Sequence, residues 1–230
     1  MPPFRKLLRR HFPAITWFLA RSQPRYLRTR WQASHAVVVA GWGRCGTTLL
    51  FNALSTSGHL LHDIFFINRF DERRPYYKGI CSKTHDLPPP ILPPHVKVIF
   101  LFGNPMNAAL SAFNAFPKHP DVHFKHIDSP YTDERHLFYC RDVFQLTKQF
   151  DAWYKPQGVG LLTLRYETLY AEQTQETLQS FLGFELKMPP YRARKTDWQT
   201  HPLRAALQET YGALQKRVEA ADDARIWLPR

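Results

Sequence analysis

The stretch Gly41 to Leu50, GWGRCGTTLL, sets glycines, an arginine and two adjacent threonines close together. Residues of these types at this spacing suit a phosphate cradle, although a glycine turn can also merely join a strand to a helix. Glycines let backbone N–H groups approach an anion, Thr47 and Thr48 add hydroxyl donors, and a helix starting there favours negative charge at its N-terminus. The apolar run Ala36 to Ala40 before the stretch and the apolar-periodic segment after it predict the strand and helix that such a cradle needs. Gly41 and Gly46 have the spacing of a Walker A loop, G-x-x-x-x-G-K-[ST], but Thr47 stands at the lysine position and the loop's cation is Arg44. A nucleotide kinase also uses an acidic strand end to help hold magnesium. Here the strand expected over Val96 to Phe102 runs into Gly103 and Asn104.

A second group with chemical potential is SKTHDLPP, Ser82 to Pro89. In extended chain, residues two apart point to the same side. Lys83 and His85 can therefore face one pocket, the lysine to stabilise negative charge and the histidine to accept a hydroxyl proton near neutral pH. A lysine and a histidine beside a surface turn are, taken alone, also what a solvated stretch looks like. Between Asn114 and Leu137 the chain is polar and lacks periodicity, as lids and acceptor walls do. Its His119, His123 and His126 lie among prolines and charges and read as a solvated loop, so no metal is expected. Phe113, Phe116, Tyr76 and Tyr77 suit either an acceptor wall or the core.

These groups must be positioned by regular elements. Ala36 to Ala40, Val96 to Phe102 and Val159 to Arg165 are continuous apolar or β-branched runs of the kind buried in a parallel sheet, with Gly79 to Ser82 a shorter companion. Helices are predicted over Thr48 to Ser57, Met106 to Phe113, His136 to Tyr154, Glu172 to Leu182 and Leu203 to Ala220. Pro105 suits a helix start and Gly183 a stop. The pattern is α/β, a three-layer α/β/α arrangement with a central parallel sheet. The prolines at 88–90 and 93–94 make a stiff surface connection.

With 230 residues, 44% of them hydrophobic, the chain can bury a sizeable core, and residues 34–230 read as one domain. Residues 1–33 form a basic N-terminal segment whose apolar patch, Ala14 to Ala20, is shorter than the roughly 20 residues of a bilayer span. Arginines resume directly after it without a cleavage site, which argues against a signal peptide. The segment suits contact with an acidic membrane surface or acceptor as well as a solvated or packed helix. A formal charge of +12 suits anionic ligands generally. No helix-turn-helix, zinc-finger or RNP signature points to nucleic acid. The three cysteines, Cys45, Cys81 and Cys140, are odd in number and without metal spacing, which favours a reducing, cytoplasmic setting.

In their order along the chain, GWGRCGTTLL, SKTHDLPP, VKVIFLFGNPMNAALS and LLTLRYETLYAE resemble the sulfotransferases that use 3′-phosphoadenosine-5′-phosphosulfate (PAPS). The resemblance runs from Val37 to Trp198 and implies a P-loop-NTPase-like sulfotransferase fold with PAPS as donor and 3′,5′-adenosine bisphosphate (PAP) as product. It implies that Arg44, Cys45, Gly46, Thr47 and Thr48 bind the 5′-phosphosulfate, Arg44 steadying the leaving phosphate. His85 becomes the catalytic base, Lys83 lies beside the sulfuryl group, and Tyr166 of the RYE triplet lies near the adenine, although a tyrosine there can also simply cap the sheet edge. Leu49 stands where many members carry a tryptophan against the adenine.

The family pattern R-[DN]-P-x-[DN] followed by serine keeps Asn104, Pro105, Asn107 and Ser111 here, and Ser111 would help hold the 3′-phosphate. Gly103 replaces the arginine. YRARKTDWQT resembles the family's basic loop near the C-terminus, so Arg192, Arg194 and Lys195 are the candidates to supply the missing cation. The implied acceptor is a small-molecule, glycan or lipid hydroxyl, or an amine, and no metal is needed. The phosphate loop leaves a nucleotide or small-molecule kinase open, and Gly103 leaves open a non-catalytic descendant.

Overall fold

The chain's first strand, β1 (Ala36–Gly41), is buried at every residue. A run of valines between alanines behaves this way in the middle of a sheet covered on both faces. The computed structural model describes residues 33–62, 76–115 and 136–229. The basic segment at 1–32, the three histidines of the 116–135 stretch and Phe116 lie outside the described residues.

Besides β1 the sheet contains β2 (Leu61–His62), β3 (Ile80–Thr84), β4 (Val96–Phe102), β5 (Gly160–Arg165) and β6 (Ala224–Trp227). The strand order is β2-β3-β1-β4-β5-β6, all pairings parallel except β5 with β6. The helices are α1 (Thr47–Thr56), α2 (Pro105–Ala115), α3 (Leu146–Trp153), α4 (Glu172–Leu182) and α5 (Arg204–Glu219).

Alternation along the buried strands divides the core in two. Val37, Val39, Ile99, Leu101, Leu162 and Leu164 face a cluster closed by Leu50 and Leu54 of α1 and Leu178 and Phe181 of α4. On the other face Val38, Ala40, Val98, Phe100 and Phe102 meet Leu110 of α2, Phe150 and Trp153 of α3, and Leu207 and Tyr211 of α5. The protein is thus a three-layer α/β/α structure, as its sequence pattern predicts. β1 leads into a helix on one face and its neighbour β4 into a helix on the other. A crevice opens between two such connections at the carboxyl ends of the strands, where open α/β sheets bind ligands.

Two elements depart from expectation. The helix predicted over His136 to Tyr154 forms only as α3, because the Asp142 carboxylate accepts the N–H groups of Leu146 (2.9 Å) and Thr147 (2.8 Å) and starts the helix there. Upstream, Phe138 and Tyr139 keep their carbonyls for α5: Tyr211 donates to Phe138 O at 2.9 Å and Thr210 to Tyr139 O at 2.7 Å. Phe138, Val143 and Phe144 are buried all the same, which gives the segment its helix-like spacing. The second departure is β6, an antiparallel edge strand too short and charged to stand out. It is anchored by an ion pair of 3.2 Å between Arg165, at the end of β5, and Asp223.

β3 also runs beyond the expected Ser82 to Thr84 and so carries Lys83 to the carboxyl end of the sheet. Among the described residues no helix is long and apolar enough to cross a membrane.

Candidate active site

The phosphate-loop residues leave β1 through a turn that only glycine fits at two points. At Gly41 (φ +153°), the last residue of β1, a Cβ would lie 2.3 Å from the carbonyl oxygen of Leu101, its register partner on β4. Gly46 caps α1 in the left-handed conformation (φ +79°), and a Cβ there would meet the Tyr166 ring at 2.7 Å. Gly46 offers no side-chain acceptor and the first turn of α1 carries no acidic residue. The positive N-terminal end of α1 is thus offset by neither a side-chain cap nor a carboxylate of its first turn. Gly46→Ala combines a strained φ with a ring overlap, and we expect it to lower stability by about 2–3 kcal/mol. Denaturant unfolding checks this, and an unchanged midpoint would show that the loop relaxes freely.

The loop's side chains divide by direction. Cys45 is fully buried, its thiol pushed up to about 12 by burial, and its N–H bonds to the Trp42 carbonyl at 3.3 Å. Thr47 is buried as well, whereas Arg44 and Thr48 are exposed. Arg44 adopts a left-handed backbone, φ +70°, an uncommon state for a side-chain-bearing residue that tends to persist at functional sites. Leu49 is partly buried against the α1 face of the core.

Lys83 and His85 both close on this loop. Lys83 Nζ donates to Thr48 Oγ1 at 3.0 Å, and burial lowers the lysine's pKa from its ordinary 10.5. His85, 6% exposed, donates from Nδ1 to the Gly41 carbonyl at 2.6 Å. A carbonyl oxygen only accepts, so the proton sits on Nδ1 and the lone pair of the neutral ring is on Nε2. The turn holding the histidine is fixed on both sides. Asp86 N–H donates to Thr84 Oγ1 at 3.1 Å, and the buried Trp153 of α3 donates from Nε1 to the Asp86 carbonyl at 2.9 Å.

The opposite wall comes from β4, α2 and the C-terminal loop. Asn104 Oδ1 accepts the Asn107 N–H at 2.9 Å, starting α2, and Asn107 Oδ1 accepts the Trp198 N–H at 2.9 Å, pinning the loop after YRARK to that helix. Ser111 accepts from Arg44 Nε at 3.2 Å. Arg194 crosses the crevice: it donates to the Arg44 carbonyl at 3.0 Å, stacks 4.8 Å from the Tyr166 ring and pairs with Glu167 at 3.6 Å. Tyr166 is raised in pKa, chiefly by burial. Arg192 and Lys195 are exposed. Phe113 stacks on Phe138 at 4.3 Å and Tyr76 packs against the core, each of the two partly buried.

Glu167 is the residue that motif reading missed. Its carboxylate would lie 2.8 Å from a Cβ at Gly103, accepts the Asn104 N–H at 3.0 Å and faces Arg194. The space beside Gly103 is thus filled by an anion. Only its place in the RYE triplet hinted at this, since nothing in the local pattern says that β5 delivers the glutamate to the end of β4.

No family model and no curated protein matches the sequence. Among solved structures the chain is similar to a sulfotransferase from Alicyclobacillus acidocaldarius, at 17% identity over 82% of this chain and 95% of that one, with a TM-score of 0.47. It is similar to mouse sulfotransferase SULT7A1 complexed with PAP, at 19% identity over 67% of this chain and 60% of that one, TM-score 0.46. A third is a retinol dehydratase in complex with androsterone and inactive cofactor PAP, at 16% identity over 79% and 63%, TM-score 0.40. The chain spans about three fifths of the length of the mouse and retinol dehydratase chains.

Proposed function

We propose that the protein is a sulfotransferase that moves a sulfuryl group from PAPS to a hydroxyl or amine of a small-molecule, glycan or lipid acceptor. One observation carries this reading: Lys83 and His85, two residues apart, both hydrogen-bond to the phosphate loop, at Thr48 and Gly41. That arrangement sets a cation and a proton acceptor against one anion cradle. The residues fit the donor, since the uncapped start of α1, free of acidic side chains, and the ammonium of Lys83 converge where its phosphosulfate would lie.

When bound, PAPS supplies a sulfuryl group on a mixed anhydride whose bridging S–O bond breaks as the acceptor oxygen bonds to sulfur. His85 takes the acceptor's proton at Nε2, and the Gly41 carbonyl holds the ring in place and stabilises the imidazolium that results. Lys83, Thr48 and the N–H groups of α1 neutralise the charge that collects on the leaving phosphate. This chemistry needs positioning and electrostatics and no metal.

A kinase would need a carboxylate for magnesium near the end of β4. The carboxylate there, Glu167, is engaged by Asn104 N–H and Arg194. Paired transfer assays separate the two readings. With ³⁵S-labelled PAPS and a panel of alcohols, phenols, amines and sugars, we expect label in an acceptor in the presence of EDTA. Magnesium-dependent transfer of ³²P from ATP, with no ³⁵S transfer, would overturn the proposal.

A further inference from the structure

The two large apolar side chains with the highest exposure among the described residues, Ile91 at 85% and Leu228 at 75%, lie at the same end of the sheet, opposite the crevice. The segment after Asp86 returns from the carboxyl end of β3 to the turn before β4, where Val96 N–H donates to the Pro93 carbonyl at 2.9 Å. β4 is seven residues long, and the segment covers that length in about as many residues, so it runs nearly extended and brings Ile91 close to the turn. Pro90 and Pro94 beside it are exposed as well and, lacking N–H groups, leave no donor to desolvate. Leu228 reaches this end from the edge of the sheet. β6 is antiparallel and Trp227 pairs with Leu161, so the next residue lies beside Gly160, the first of β5. β4 and β6 flank β5, two strand spacings or roughly 10 Å apart.

This end is also cationic. Lys78 before β3 and Lys155 before β5 are exposed there, while the exposed Glu185 and Lys187 after α4 offset one another. The chain enters β1 at the same end, where Ala36 N–H donates to the His95 carbonyl at 3.0 Å and Gly79 N–H to the His35 carbonyl at 2.9 Å. Residues 1–32, which lead to that point, include eight arginines and lysines and no aspartate or glutamate. Apolar side chains standing clear of the surface beside an excess of cations complement an anionic bilayer, whose headgroups pair with the charge and whose acyl boundary takes the side chains.

We propose that the amino end of the sheet docks on a bilayer containing anionic lipid, Ile91 and Leu228 entering the interface while Lys78, Lys155 and the basic segment meet the headgroups. In this orientation the crevice at the carboxyl ends of the strands faces away from the bilayer and stays open to ligands from water. The proposal goes beyond the sulfotransferase reading and stands or falls separately from it.

The test is co-sedimentation of the full chain with vesicles of phosphatidylcholine alone and of phosphatidylcholine with phosphatidylserine. Wild type is compared with Ile91→Asp, Leu228→Asp and Tyr191→Asp, each checked for a normal thermal transition. Tyr191 is the control, exposed at 63% but packed on Tyr170 beyond the carboxyl end of β5. We expect wild type to bind the anionic vesicles at least tenfold more tightly than the neutral ones, and high salt to weaken that binding. Ile91→Asp and Leu228→Asp should each lower it about 10- to 100-fold, the worth of burying one such side chain, with Tyr191→Asp within about threefold of wild type. Equal binding to both vesicle types, or to neither, would overturn the proposal. So would anionic binding untouched by Ile91→Asp and Leu228→Asp, which would leave the basic segment acting alone, or an equal loss in Tyr191→Asp. A wild-type dimer in vesicle-free sedimentation that either of the two substitutions turns into a monomer would assign this end to a second copy of the chain instead.

Discussion

His85→Ala is expected to lower turnover by about two to four orders of magnitude, the range for loss of a positioned general base, with donor affinity within about threefold of wild type. The reason lies in the split between the two ring nitrogens. Nδ1 is tied to the Gly41 carbonyl, which fixes the tautomer and leaves the basic lone pair on Nε2. The same bond means that the substitution leaves a buried carbonyl unpaired, at a cost of about 1–3 kcal/mol in stability. Steady-state kinetics on material with a verified thermal transition separates the two effects. Turnover near the wild-type value in that material would end the assignment of His85 as base.

Lys83→Ala is expected to reduce turnover by a similar factor, through lost charge stabilisation rather than lost proton transfer. Its Nζ lies 3.0 Å from Thr48 Oγ1 at the start of α1 and makes that contact from a partly buried position. Burial places the lysine's pKa below the ordinary 10.5, so the folded protein gives up the Lys83 proton at lower pH than an unfolded chain does. Between the two values the unfolded state binds more protons. Stability from this group is therefore lowest at neutral pH and rises as pH climbs through that window. Activity should run the other way, because the charged form is the useful one. The alkaline limb of turnover should fall at a pH below 10.5 and should vanish from the residual activity of Lys83→Ala. A pure loss of donor binding, with turnover at saturation intact, would assign Lys83 to the ground state instead.

The parallel core was readable because its strands are continuous apolar runs: Val37 to Val39 and Val98 to Phe102 admit few environments other than a sheet buried on both faces. The loop was readable because its glycines are required by steric fit, at Gly41 against Leu101 and at Gly46 against Tyr166. What escaped depends on contacts between distant segments. The Asp142 cap that starts α3 late, and the α5 side chains that take up the carbonyls upstream of it, are invisible to helical periodicity. So is the arrival of Glu167 beside Gly103, which turns an apparent gap in a binding motif into an occupied space. YRARK showed its cations but not which one is engaged: Arg194 is held by Glu167, while Lys195 is exposed.

The most direct test of the central claim is calorimetric titration of the purified chain with PAP, set against ADP and against ATP with magnesium. Binding at micromolar levels, independent of metal and selective for the bisphosphate, is the predicted result. Tight, magnesium-dependent ATP binding without a preference for PAP would contradict the account and make the phosphate loop that of a kinase.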